Sequence, residues 1–474
     1  MSPTQATPSP QTLQRRSLDA VWHPCTQMAR AERVPPLPIM RGQGPWLYDD
    51  EGRRYFDANS SWWVNLFGHA DAGINAAIKQ QLDTLPHVML AGCTHEPAVR
   101  LAERLSALTG HVLGHCFFAS DGASAVEIAL KQSFHSWRNR GRADKREFAC
   151  LRNSYHGETI GALAVTDVAV FRDAYDPLLM RAHIVEAPDA RLGNEAQALQ
   201  AMRTLLAERH AHMAAVIVEP LVQGAAGMVM HSPAYLRGLR ALCSEFDVHL
   251  IADEIAVGCG RTGRFFAWDH VSPRPTDTLS APEGGAAALG SGPAGDRFTE
   301  LKAKQDWPDF ILLSKGITAG TLPLSLVLTT DAVYQAFWSE DVSRGFLHSH
   351  SYTGNALACA AANAVLDRFD AGQLQINGEQ AQRLARAFAP LAQDPRVAGW
   401  RQQGMILAFE VPEAQAGFAE RFHLAARAHE LLIRPIGRTV YLMPPYLIDD
   451  AATADWLADA VRKTLDDAFL LIPA

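Results

Sequence analysis

The sequence lacks the features that mark several classes of protein. No apolar run reaches the roughly 18 residues that a helix needs to cross a bilayer, and the first 20 residues lack the apolar core of a secretory signal. The 7 cysteines are odd in number and form no CxxC pair, which is typical of reduced thiols in an intracellular protein. A formal net charge of -8 argues against nucleic-acid binding and gives no reason to expect a membrane partner. We therefore expect a cytoplasmic protein.

The length, composition and patterns of the chain indicate a globular enzyme of more than one subdomain. The chain has 474 residues, of which 48% are hydrophobic and 20% charged. Strand-like runs alternate with helical patterns, which predicts an α/β fold with a large domain built on a mainly parallel sheet flanked by helices. A smaller α+β domain would come from both ends of the chain. The predicted boundaries are a disordered tail over 1–20, the small domain over 21–72 and 354–474, and the large domain over 73–353, which includes a flexible glycine-rich insertion over 271–306.

Two apolar runs each end in one charged residue. Residues 248–252 (VHLIA) lead into Asp253, and residues 310–314 (FILLS) lead into Lys315. Both runs are typical of buried strands in a parallel sheet, and ligands bind at the carboxyl ends of such strands. A lysine can act as a nucleophile toward a carbonyl cofactor, and a pyridinium nitrogen needs an acidic partner. The pair predicts a site for pyridoxal 5'-phosphate (PLP).

Other candidate residues fit the same cofactor. Gly122, Ala123 and Ser124 lie at a strand-to-helix junction, where backbone N–H groups and the helix dipole favour a phosphate, although a plain βα turn has the same pattern. Tyr155, in the loop RNSYHGET, could stack on the cofactor ring or simply cover the core. Arg434 has a fork suited to a carboxylate, although surface ion pairs use the same group.

The segment HSHSYTGN contains two histidines, His348 and His350. A metal site needs two or three more convergent ligands, and the sequence has no HxxxH helix pattern here, so we predict no metal. Ser351 is better interpreted as another phosphate contact.

Nine motifs in order carry a resemblance to a known family: WHPCTQM, SSWWVNLFGH, SDGASAVEIALK, RNSYHGET, VIVEPLVQGAAGM, LIADEIAVGCGRTG, LLSKGITAGT, HSHSYTGN and IRPIGRTVYLMPPY. With them the chain resembles the class III, PLP-dependent aminotransferases from about Val21 to its end, apart from residues 271–306. It is most similar to their biotin-pathway branch. The resemblance implies a fold-type I PLP transferase that acts as a homodimer. The implied substrates are S-adenosylmethionine and 8-amino-7-oxononanoate.

The resemblance also implies roles for individual residues. The cofactor would be held by Lys315 as Schiff-base lysine, Asp253 at the pyridine nitrogen, Tyr155 on the ring, Gly122 and Ala123 at the phosphate, and Ser351 at the phosphate of the neighbouring subunit. The substrate positions would be Trp62, Tyr155, Lys315, Ser349, Arg434 and Tyr441, with Arg434 taking the oxononanoate carboxylate.

Three residues depart from the family pattern. Ala123 stands where a hydroxyl is frequent, Ser349 where glycine is common, and Cys25 where enzymes that use adenosylmethionine have a tyrosine. Cys25 leaves the amino donor open between adenosylmethionine and another amine such as lysine. Three further functions compete with the biotin step: an ω-amino acid:pyruvate transaminase on the same scaffold, a PLP decarboxylase or aminomutase, and a catalytically silent scaffold.

Overall fold

A large, mainly parallel sheet forms the centre of the computed structural model, which describes residues 12–272 and 306–470. Within these residues the sheet has seven strands. In spatial order they are His115–Ala119, Ser325–Thr329, Phe310–Leu313, His249–Asp253, Met213–Val218, Glu147–Leu151 and His183–Val185. Ser325–Thr329 runs antiparallel to both of its neighbours, and the other adjacent strands pair in parallel. The predicted mainly parallel sheet is confirmed.

The central strands are apolar because both faces of the sheet are covered. Alternate residues of His249–Asp253 pack into two separate hydrophobic cores. Ile251 lies in one core with Val126 of the helix Gly122–Asn139, whereas Leu250 lies in the other core with Leu236 of the helix Pro233–Glu245. This arrangement leaves the ends of the strands as the places where polar side chains can meet.

Both ends of the chain contribute smaller sheets. The strands Ile39–Gln43, Trp46–Asp49 and Arg54–Asp57 form an antiparallel unit, and Leu431–Leu432 joins it in parallel. A second antiparallel sheet consists of Ala398–Gln403, Ile406–Glu410 and Thr439–Leu442. Outside the two ends, Val222–Gln223 pairs with Val229–Met230 in a small antiparallel sheet. The two ends therefore meet, as expected, and the exact domain boundaries stay a prediction.

The right-handed helices surround these sheets. They are Leu13–Ala20, Ala72–Thr84, Glu96–Leu108, Gly122–Asn139, Ile160–Ala164, Ala169–Arg172, Glu195–Arg209, Pro233–Glu245, Asp331–Gln335, Ala356–Asp370, Gln373–Phe388, Phe418–Ala428 and Ala451–Leu470. None of the helices within residues 12–272 and 306–470 has the length and apolarity needed to span a membrane. The cytoplasmic location stays a prediction.

The predicted tail and the predicted insertion are each described only in part. The disordered tail is wrong over Leu13–Ala20, which form a helix whose first turn is capped by the Thr12 hydroxyl. Residues 1–11 lie outside the described residues. The insertion predicted over 271–306 lies outside them too, except for its ends, because residues 273–305 are not described.

Candidate active site

A cavity of about 520 Å³ lies at the carboxyl ends of the central parallel strands. Asp253 ends one of these strands, Glu219 directly follows Met213–Val218, and Lys315 comes two residues after Leu313. The cavity is lined by Trp63, Val64, Ser120, Asp121, Gly122, Ala123, Tyr155, His156, Gly157, Glu158, Glu219, Asp253, Ile255, Ala256, Ser314, Lys315, Thr318, Gly320, Thr321, Leu322, Pro323 and Leu324. The structure thus brings the two sequence-predicted residues Lys315 and Asp253 into one site.

Lys315 has the surroundings of a reactive amine. Burial lowers its pKa, while the negative charges of Asp253 and Glu219 act in the opposite direction. Its ammonium nitrogen lies 5.1 Å from the centre of the Trp63 ring. The backbone of Lys315 is left-handed, with φ of 45°, a strained conformation of the kind that collects at functional sites. A lowered pKa increases the neutral fraction of the amine, which is the nucleophilic form.

Asp253 is fixed by two hydrogen bonds in a buried environment. Its Oδ2 lies 2.7 Å from His156 Nδ1, and its Oδ1 accepts a bond of 3.1 Å from the backbone N–H of Ile255. His156 is buried as well, and its Nε2 has no hydrogen-bond partner among the described residues. The imidazole therefore holds the carboxylate in one orientation toward the cavity.

Glu219 is a second buried acid at the site, which the sequence reasoning missed. Burial raises its pKa to about 7; His156 lowers that pKa and Asp253 raises it. Its carboxylate accepts hydrogen bonds from the backbone N–H groups of Tyr155, at 3.1 Å, and Gly224, at 2.9 Å. An apolar strand ending in a single charge was the signal used for Asp253, and the same signal would have found Glu219.

The start of the helix Gly122–Asn139 forms one end of the cavity. Gly122 and Ala123 line it, and a Cβ on Gly122 would lie only 3.1 Å from Ile255 Cγ2. Helix N-termini of this kind favour phosphate groups. Ser124 is different: its hydroxyl donates to Asp121 Oδ2 at 2.8 Å, and its N–H donates to Asp121 Oδ1 at 3.0 Å. The Ser124 hydroxyl thus takes part in the helix cap, and its predicted phosphate contact stays a prediction.

Tyr155 and its neighbours line the cavity beside this helix start, since a Cβ on Gly157 would lie 2.6 Å from Ala123 Cβ. The Tyr155 hydroxyl donates a hydrogen bond of 2.8 Å to Glu158 Oε1, and burial raises the pKa of this phenol. Cys25 lies close to the same groups. Burial and the charge of Glu158 raise the pKa of its thiol, and Arg434 lowers it. The position that departs from the family tyrosine thus lies within electrostatic range of Glu158, which lines the cavity.

Ser60–Trp63 forms a left-handed turn, which separates two adjacent tryptophans. The φ angles of Ser60, Ser61, Trp62 and Trp63 are 49°, 48°, 72° and 73°. For residues other than glycine this conformation costs roughly 1–2 kcal/mol each. Trp63 is buried and lines the cavity, whereas Trp62 is 51% exposed.

Three predicted substrate residues lie around this turn. The guanidinium carbon of Arg434 is 6.0 Å from the centre of the Trp62 ring, and Trp63 Nε1 donates a hydrogen bond of 3.1 Å to the Tyr441 hydroxyl. Trp62, Arg434 and Tyr441 themselves do not line the cavity around Lys315. They form a neighbouring group, joined to that cavity through Trp63.

Ser349 and Ser351 stand apart from the cavity of their own chain. Both are exposed, and neither belongs to the residues that line it. The backbone carbonyl of Ser351 accepts a hydrogen bond of 2.8 Å from His87 Nε2. Within one chain, the structure does not bring these two serines together with Lys315.

Comparison with known proteins identifies the family. The family model of the class III aminotransferases matches residues 27–281 and 287–465. This chain belongs to the class III aminotransferases. The curated relatives of this aminotransferase include the adenosylmethionine-8-amino-7-oxononanoate aminotransferase of Helicobacter pylori, 41% identical over 91% of this chain and 92% of the relative. The enzyme of the same name from Geobacter sulfurreducens is 35% identical over 96% of this chain and 97% of the relative.

Solved structures agree with this assignment. The crystal structure of adenosylmethionine-8-amino-7-oxononanoate aminotransferase from Methanocaldococcus jannaschii has a TM-score of 0.85 and 31% identity, and covers 96% of this aminotransferase and 98% of that chain. An amine transaminase from an uncultivated Pseudomonas species, solved with PLP bound, has a TM-score of 0.82 and 28% identity, covering 94% of this chain and 98% of its own. The predicted fold-type I architecture is confirmed.

The cavity of this aminotransferase has the chemistry that PLP requires. It offers a buried amine in Lys315, a fixed carboxylate in Asp253, an aromatic ring in Tyr155 and a helix N-terminus at Gly122. These groups suit, in turn, the aldehyde, the ring nitrogen, the ring face and the phosphate of the cofactor.

Proposed function

We propose that this chain is a PLP-dependent aminotransferase of biotin biosynthesis. It transfers an amino group, from S-adenosylmethionine, to 8-amino-7-oxononanoate and gives 7,8-diaminononanoate. The observation that carries the proposal is the 41% identity to an enzyme of that name over 91% of the chain. The placement of Lys315 and Asp253 in one cavity supports it independently.

The residues of this chain have distinct tasks in the reaction. PLP supplies an electron-withdrawing ring when it is bound. Lys315 supplies the amine that holds the cofactor, and in its free form moves a proton at the substrate carbon. Asp253, oriented by His156 at 2.7 Å, keeps the ring nitrogen protonated. The N–H groups at the start of Gly122–Asn139 bind the phosphate.

The substrate is bound by the group around the left-handed turn. Arg434 is exposed and lies beside the Trp62 ring, so its guanidinium is available to bind the carboxylate at the end of the oxononanoate chain. The exposed ring of Trp62 packs along the aliphatic part of that chain, and the buried Tyr441 borders it through its contact with Trp63.

The active form is a homodimer with shared sites. Ser349 and Ser351 are exposed and lie outside the cavity of their own chain. The same loop exposes 76% of Leu347 and 64% of Tyr352, an apolar surface that a second copy would cover. In the dimer, Ser351 contacts the phosphate bound by the partner subunit, and Ser349 borders the substrate.

The test is a product assay with purified enzyme. PLP-loaded protein is incubated with 8-amino-7-oxononanoate and, in parallel, with S-adenosylmethionine or lysine as donor. The diamine is expected with S-adenosylmethionine. If the diamine forms only with lysine, the proposed reaction holds but lysine is the amino donor. Cys25 makes this outcome worth testing, because it stands where enzymes that use adenosylmethionine have a tyrosine. Turnover of an ω-amino acid with pyruvate, without diamine from any donor, would contradict the proposal. Lys315→Ala is the control that must form no product.

A further inference from the structure

The left-handed turn Ser60–Trp63 is held at its ends by hydrogen bonds to the chain around it. The Ser60 hydroxyl donates to the carbonyl of Met443 at 2.7 Å. At the other end, Arg261 Nη2 donates to the carbonyl of Trp63 at 3.3 Å and to that of Asn65 at 2.8 Å. These bonds fix where the turn begins and ends. Inside it, the backbone N–H groups of Trp63 and Val64 donate to the carbonyls of Asn59 and Ser60.

The left-handed turn has a further support, from the side chain of Asp57. Its Oδ1 accepts a hydrogen bond of 2.8 Å from the backbone N–H of Ser61, and its Oδ2 accepts one of 2.6 Å from the Ser61 hydroxyl. The same Oδ2 lies 3.1 Å from His69 Nε2. Asp57 is only 1% exposed, so its carboxylate is shielded from water on the side away from the exposed Ser61 and can hold that residue in a conformation that it would otherwise leave.

The turn decides where the two tryptophans lie. Trp63 is 6% exposed and its ring packs 5.1 Å from the Lys315 amine, against Gly224, where a Cβ would lie 2.8 Å from Trp63 Cη2. Trp62 is directed to the exposed side, beside Arg434. A turn that relaxed toward right-handed or extended backbone would move both rings.

We propose that Asp57 is a positioning residue of the active site, and that it acts by clamping the left-handed turn. Through the turn it holds Trp63 against Lys315 and Trp62 beside Arg434. The consequence for substrate binding rests on the function proposed above, whereas the consequence for the backbone does not.

The backbone part is tested by a matched pair of variants, Ser61→Gly and Ser61→Ala. Both remove the hydroxyl, but only glycine adopts a φ of 48° without a steric cost. The midpoint of thermal unfolding is expected to be higher for Ser61→Gly than for Ser61→Ala, by about 1 °C or more. In right-handed or extended backbone the order is reversed, because glycine is then the more costly residue. An equal or reversed order would overturn the proposal, whatever reaction the enzyme catalyses.

The catalytic part is tested on the PLP-loaded enzyme with Asp57→Ala and Asp57→Asn. We expect Asp57→Ala to keep its visible cofactor absorbance and to raise KM for the amino acceptor about tenfold, with a smaller change in kcat. Asp57→Asn keeps one carbonyl oxygen for Ser61 and should recover part of the loss. Asp50→Ala, at an exposed aspartate nearby, is the control with unchanged kinetics. A merely structural role predicts an unchanged KM for the fraction that is folded, which would overturn the proposal. If Asp57→Ala does not fold, the test uses Asp57→Asn and Ser61→Ala instead. The quantity compared is then the KM of each variant for the amino acceptor relative to that of the unmutated enzyme.

Discussion

At the scale of single residues, the site gathers a lysine, two buried acids and a buried histidine in one cavity. Lys315, Asp253, Glu219 and His156 all line it. Each acid follows an apolar strand whose packing fixes its place, and backbone N–H groups bind part of each carboxylate. Because burial penalises an isolated charge, it raises the pKa of Glu219 and lowers that of Lys315.

The position of the Asp253 carboxylate, held by two hydrogen bonds, predicts the effect of replacing it with a neutral amide. Asp253→Asn should still bind PLP, because the lysine and the phosphate contacts remain, but should lose turnover by about 100-fold or more, since an amide cannot hold the ring proton. Steady-state rates and cofactor absorbance measure the two effects separately. Near-normal rates in a cofactor-loaded variant would show that this carboxylate does not act on the ring.

Glu219 predicts a pH-dependent stability. Its pKa is about 7 in the folded chain against an ordinary value of 4.5, so between these values the folded state binds more protons than the unfolded state. Stability contributed by this group therefore falls as pH rises through that window and is constant above it. Relative to Glu219→Gln, which does not titrate, the unmutated protein should lose about 3 kcal/mol from pH 4.5 to 7.

Urea unfolding of the cofactor-free proteins at about pH 5 and about pH 8 measures this change. The glutamine variant carries its own constant penalty, because one of the two N–H donors loses its acceptor. Therefore only the pH dependence of the difference in unfolding free energy between the two proteins is informative. A difference that stays the same at both pH values would show that Glu219 titrates normally.

Residues at strand ends could be predicted from the sequence because the signal is local. Lys315, Asp253 and, with the same argument, Glu219 each follow a run of apolar residues. The partners His156 and Trp63 could not be predicted in this way. The His156 contact joins residues 97 positions apart, and the Trp63 contact to Tyr441 joins residues 378 apart. Only the fold creates these proximities.

At the scale of elements, Arg261 joins the left-handed turn to the C-terminal part of the chain. It is 1% exposed, and its guanidinium donates to the carbonyls of Trp63, Asn65, Met443 and Pro444. A planar fork with several donors suits such a junction.

Arg261→Met should therefore destabilise the protein by about 3 kcal/mol or more, because buried carbonyls lose their donors. Arg386→Met, at an exposed helix position, should change stability by no more than about 0.5 kcal/mol. Denaturant unfolding compares the two variants. Equal unfolding midpoints for the two variants would mean that water donates to these carbonyls as well as the Arg261 guanidinium does.

The elements also show where sequence patterns stop being informative. The sheet and its helices could be predicted from the periodicity of apolar residues. That periodicity is determined mainly by which side chains are buried. The segment SSWW has no glycine and no local signal for left-handed backbone. Its conformation is imposed by Asp57 and Arg261, so it could not be predicted without the contacts. The helix Leu13–Ala20 was missed for another reason, since a tail rich in Ser, Thr and Pro precedes it.

At the scale of the whole molecule, the exposed loop of Ser349 and Ser351 predicts a dimer with shared sites. Light scattering should give twice the chain mass of 51.7 kDa. Ser351→Ala should leave that mass unchanged and weaken PLP binding several-fold, because one phosphate contact is lost. A monomer that is fully active would contradict the shared site. Unaltered PLP affinity in Ser351→Ala would remove only the role of this hydroxyl.

The proposed function depends most on one covalent bond, the attachment of PLP to Lys315. The direct measurement is to load the protein with PLP, reduce it with borohydride, digest it and map the modified lysine by mass spectrometry. A single pyridoxyl group is expected on the peptide that contains Lys315, and none on the Lys315→Ala variant. A pyridoxyl group on another lysine, or protein that takes up no PLP, would contradict the proposed function.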